Sequence, residues 1–161
     1  MYQWSVFIHV IIAAFWIGGM LFTAAVLVPA TRRKLAAQKG LLFIELGTRF
    51  SRISWVLFPL LILTGITALL GKGYHFSHLI DQNFWTSGYG MLLVHKIGLF
   101  AFVLLLSGLH DFWLGRKAAE MMSTHPDHPI TNRYRAASKW VGRINLLLGL
   151  VILFLAISLV R

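Results

Sequence analysis

Two imidazoles, His9 and His95, lie inside apolar runs long enough to cross a bilayer. An ionisable side chain at that depth is costly, so it marks a functional site by default. Its structural use is an interhelical hydrogen bond. Its chemical use is to ligate a metal, or a group carrying one, through a neutral ring nitrogen. The chain has no Cys. Disulfides, thiolate sites and iron–sulfur clusters are therefore excluded, which leaves His, Met and carboxylates as ligands.

The neighbours of the two residues narrow the chemistry. A helical stripe from His9 runs through Ala13, Trp16 and Met20, with Gly19 beside it. One and two turns on from His95 stand Gly98, Leu99 and Phe102. Small and aromatic apolar residues suit a large flat ring better than a hydrated ion. Facing helices of a bundle can hold one haem between two His ligands, with Met20 or Met91 able to replace one of them. Copper is the alternative. Cu(I) accepts Met and His, and His9, Met20, Met91, His95, His110 and the Met121-Met122 pair are its candidate stations. Lys96, beside His95, is placed either to snorkel to the surface or to pair with a haem propionate or another carboxylate. His110-Asp111 reads as an interfacial hydrogen-bonding pair. His75-Phe-Ser-His78 reads as part of a cap over the site, since a lone H-x-x-H is weak evidence for a metal.

The elements that must position these residues are plain. The chain has 161 residues, 58% of them hydrophobic and 12% charged, with a mean hydropathy of +0.74. A soluble domain carries about 25% charged residues. Four apolar segments, about 4–29, 53–70, 89–114 and 141–160, match or approach the ~20 residues needed to cross a bilayer. The stretch after Leu41 is amphipathic, so the second helix is expected to begin before the hydrocarbon does. The expected fold is a single all-α membrane domain, four helices running up-down-up-down. The opening Met1-Tyr-Gln-Trp-Ser lacks a basic n-region and reads as part of a retained first span.

Charge sets the expected orientation. Arg32, Arg33, Lys34, Lys39, Arg49 and Arg52 flank the first connection, and Arg116, Lys117, Arg133, Arg135, Lys139 and Arg143 the third. The positive-inside rule places both on the cytoplasmic side, with the termini and the second connection outside. His9 and His95 then share a depth just below the outer surface, where Lys72 and Arg161 also fall. The formal net charge of +10 is thereby accounted for by the membrane surface, and nucleic acid is not a partner. The inner connection at 120–132, with His125, Pro126, His128 and Pro129, reads as a mobile polar loop. No Ser-His-Asp order, phosphate-binding glycine loop or paired intramembrane carboxylates can be found, so redox chemistry or ion passage remains.

Several short motifs resemble known families. Arg49-Phe-Ser-Arg, Thr64-Gly65 and Tyr89-Gly90-x-x-Leu93-x-x-Lys96-x-x-Leu99 resemble the CopD-type copper-resistance membrane domain, and His9 with Trp16-Ile-Gly-Gly is similar to that family's first span. Trp4-x4-His9, Trp16-x-x-Gly19, His95-Lys96, His110 and Arg143-Ile-Asn145 are similar to the HemJ-type protoporphyrinogen oxidases, small four-span haem proteins. That family's Pro-Arg and Tyr-His after span one are replaced here by Val28-Pro29-Ala30-Thr31, and its Glu and Pro after the span-four Asn by Leu146 and Leu148. The resemblances imply a bacterial inner-membrane protein whose His9 and His95 hold haem b, or copper in the alternative. Lys96, Trp16, Gly19, Gly98 and Phe102 would line the group. Such a centre serves electron transfer with a quinone or another redox partner, and porphyrinogen oxidation is one special case.

Overall fold

The computed structural model describes residues 2–32, 39–125 and 128–159. Arg33, Lys34, Pro126 and Arg161, singled out above, lie outside them. The described residues are helical with short turns and contain no strand. Four helices are long and apolar enough to cross a membrane: Tyr2–Thr31, Leu41–Gly71, Gly88–Met122 and Pro129–Ser158. The chain forms two compact units, Met1–Gln82 and Asn83–Arg161, and each is built on one helix pair.

In the first unit, α1 (Tyr2–Phe22) continues through a π-helical turn (Thr23–Leu27) into α2 (Val28–Arg32) and is followed by α3 (Lys39–Gly71). Contacts of His9 with Thr64, Trp16 with Phe58 and Gly19 with Phe50 make α1 and α3 antiparallel. Ile12, Trp16, Ile17, Phe58 and Leu61 form the buried seam, and the Trp16 and Phe58 rings meet edge-on at 5.5 Å. A Cβ on Gly19 would collide with the Phe50 ring, which would have to shift to admit it. Such close approach drives association in lipid, where helices gain no hydrophobic burial from each other. Pro59 lies inside α3, a position that membrane helices tolerate. Gly73, with φ of 92°, ends α3 in the left-handed conformation.

In the second unit, α4 (Gln82–Thr86) turns sharply into α5 (Gly88–Leu109). Ser87 caps α5 by accepting the Gly90 N–H at 3.1 Å and donates to the Phe84 carbonyl at 2.6 Å. A Cβ on Gly90 would run into that same carbonyl. After α5, a π-helical turn (His110–Leu114) leads into α6 (Gly115–Thr124), and α7 (Pro129–Ser158) returns antiparallel to α5. Val103 and Ile152 are buried on this pair.

All four helices extend beyond the purely apolar segments. The second begins at Lys39, well before the apolar segment at 53–70, as its amphipathic start implied, and the fourth begins at Pro129 rather than near Val141. The expected loop at 120–132 is therefore corrected. Residues to Thr124 complete α6, and α7 opens with Pro129 at its first turn, where a missing N–H costs nothing. His128 caps it, its Nδ1 accepting the Ile130 N–H at 3.2 Å.

Candidate functional site

His9 is half-buried on α1, facing α3. Its Nδ1 lies 2.9 Å from the Thr64 hydroxyl. That hydroxyl has one proton, and its 2.6 Å bond to the Leu60 carbonyl uses it. Thr64 must then accept from His9, so Nδ1 carries a proton. Gly65, the next residue, has its Cβ direction 3.5 Å from the imidazole Cε1. Ser5, one turn earlier, donates to the Thr64 carbonyl at 2.9 Å and also meets the Thr67 hydroxyl. A short polar ladder of Ser5, His9, Thr64 and Thr67 thus fixes the ring at this end of the first unit.

His95 is exposed, and its ring is set by the backbone of its own helix. Its Nδ1 lies 2.7 Å from the Met91 carbonyl. A carbonyl only accepts, so Nδ1 again carries a proton. A ligating His typically uses its other ring nitrogen in this manner, which fixes tautomer and orientation. Both candidate imidazoles therefore have Nδ1 engaged as a donor. Gly98, on the next turn, has nothing within 4 Å of its Cβ direction. Phe102 and Met91 are exposed, whereas Lys96 is half-buried. Met20 is half-buried as well. Trp16, 4% exposed, is committed to the α1–α3 seam. Among the described residues no three His, Asp or Glu side chains cluster closely enough to enclose a metal ion by themselves.

The chain matches a family profile described as Copper resistance protein D over residues 44–159. The chain belongs to the CopD family. It is also 33% identical over 154 residues to an uncharacterised protein of Aquifex aeolicus, covering 95% of this chain and 91% of that protein. No solved structure matches it. The CopD match takes in Thr64-Gly65, His95 and Lys96, while His9, Trp16 and Gly19 precede its first residue. In the sequence Thr64-Gly65 is a bare motif. In this CopD-family chain it is the surface against which His9 rests.

The other polar groups take local roles. His75 and His78 cap the turn Phe76–Leu79 for each other, the His75 N–H reaching His78 Nδ1 at 3.1 Å. His110 does more than pair with Asp111. Its Nδ1 is 2.8 Å from the Asp111 carboxylate and its Nε2 is 2.9 Å from the Ser138 hydroxyl on α7. This is the Asp–His–Ser chain of contacts that linear order conceals, since Ser138 lies 28 residues away. Ser138 sits in mid-helix, where neighbouring amides are spent on the α7 ladder, so an oxyanion would find no backbone donors there. The chain of bonds clamps α5 to α7. A second clamp joins them through Asn145 and Ser107 at 3.0 Å. Arg143 lies over the Trp140 ring at 5.0 Å.

Proposed function

We propose that this CopD-family protein is a b-type haem protein of the bacterial inner membrane, with His9 and His95 as axial ligands and electron transfer as its task. The reading rests on one observation: each imidazole donates its Nδ1 proton to an acceptor, Thr64 or the Met91 carbonyl, as ligating histidines typically do through the ring nitrogen that does not hold the metal. The donor set agrees. Haem needs two protein ligands, and His9 and His95 supply that number. Haem supplies one-electron chemistry when bound. Thr64 and the Met91 carbonyl orient the ligands, Gly98 leaves space beside His95, and Lys96 is the charge next in sequence to His95, suited to a propionate. A quinone or another small carrier would be the redox partner, and porphyrinogen oxidation one special case.

Copper handling is the second reading, and the family description favours it. Met91 lies one turn before His95, and a thioether with an imidazole is a fit pair for Cu(I). The absorption spectrum and metal content of the purified membrane protein separate the two. A Soret band with a sharp reduced α-band, lost in His9→Ala and in His95→Ala, is expected for haem. Colourless protein with stoichiometric copper would establish the second reading instead.

A further inference from the structure

A groove of about 310 Å³ opens on the second unit, lined by Trp113, Leu114, Ile130, Arg133, Tyr134 and Ala137. It lies where the third apolar helix passes through its π-helical turn and α7 makes its first turns. The Trp113 and Tyr134 rings meet edge-on at 6.4 Å. Such amphipathic rings sit at the headgroup level of a bilayer. The remaining wall is apolar except for one cation. Among the described residues Arg133 has no acidic partner and no ring contact, while the nearby charges are engaged: Lys117 with Glu120, Asp111 with His110, Arg116 over Phe112 and Arg143 over Trp140. Arg135 and Lys139 add two more positive charges to the same turns of α7.

We infer that this groove is a binding site for an anionic phospholipid, one acyl chain lying against Trp113, Leu114 and Ile130 and the phosphate held by Arg133. The chemistry is complementary at both ends. A planar guanidinium binds phosphate oxygens in a bidentate fashion. Basic pockets between membrane helices select lipids of net negative charge over zwitterionic ones. A soluble anion would gain nothing from the apolar wall, and an uncharged amphiphile would gain nothing from Arg133.

The test uses the whole chain in lipid nanodiscs containing increasing fractions of brominated-chain phosphatidylglycerol or brominated-chain phosphatidylcholine. The Trp113 signal is the difference between wild type and Trp113→Phe. Phosphatidylglycerol is expected to reach half-maximal quenching at roughly a tenfold lower fraction than phosphatidylcholine. Arg133→Gln should erase that preference, whereas Arg135→Gln, outside the groove, should keep it. Ala137→Phe, which fills the groove and leaves the charge, should weaken quenching by both lipids. Identical curves for the two lipids in wild type overturn the inference, as does an unchanged preference in Arg133→Gln. Inorganic phosphate is expected to leave quenching unaltered; relief of quenching by millimolar phosphate would show a simple anion site and refute the lipid.

Discussion

The second partner of an imidazole decides what its first can do. Thr64 spends its only proton on the Leu60 carbonyl and so receives the proton of His9. Thr64→Val keeps the shape and removes the acceptor. If His9 ligates haem, that change should lower haem affinity on the order of tenfold, as loss of an outer-shell partner does, and Thr64→Ser should restore it; haem-to-protein ratio during titration is the measurement. Two glycines separate structure from ligation. Gly19→Val drives a side chain into Phe50, and overpacking of this kind costs about 1–3 kcal/mol; thermal unfolding in detergent should fall whether or not a group is bound. At Gly98 nothing lies within 4 Å. Gly98→Leu should therefore leave the unloaded protein's unfolding temperature unchanged while reducing haem occupancy. The residue types of His9 and His95, and their places in long apolar helices, were legible in the sequence. Their Nδ1 partners were not, because those depend on which single atom lies 2.9 Å or 2.7 Å away.

At the level of helices, composition is a good guide to what crosses the membrane and a poor one to where helices end. Hydropathy marks hydrocarbon, and the backbone ladder continues past it, so α7 runs through the basic residues from Pro129 onward. That early start brings Ser138 opposite His110. Linear triad order conceals this pair, since Ser138 follows His110 by 28 residues and precedes the fourth apolar segment. The two π-helical turns, Thr23–Leu27 and His110–Leu114, are equally hidden, since one extra residue per turn leaves little trace in an all-apolar pattern. The clamp has a measurable consequence. His110→Ala, Ser138→Ala and the double variant, unfolded from mixed micelles, should show a coupling of about 0.6 kcal/mol and not above about 1.7 kcal/mol, the range for hydrogen bonds between membrane helices. Strictly additive effects would mean that the bond holds nothing together. Catalysis through Ser138 would instead make both single variants inactive towards an ester without loss of stability, an outcome the mid-helix position of Ser138 argues against.

For the molecule as a whole, the distribution of charge carries the remaining information. Fifteen basic residues face five acidic ones, and twelve of the basic residues flank the first and third connections. A membrane protein places such segments on the cytoplasmic side because translocating them is costly, and acidic residues do little to offset the bias. By that rule the ligands proposed for the haem would lie near the outer face, and the proposed redox partner would be met there. The absence of Cys makes this directly testable, since a single introduced thiol is the only one to react. Ser77 and Thr124 are both exposed, the first between the second and third long helices and the second between the third and fourth. Ser77→Cys should react in intact cells with a maleimide that cannot cross the membrane. Thr124→Cys should react only after the cells are opened. The opposite pattern would invert the molecule and carry His9 and His95 to the cytoplasmic side. The Nδ1 partners of both imidazoles would be unaltered by that inversion, so the ligand assignment would survive it, but the redox partner would then have to be cytoplasmic.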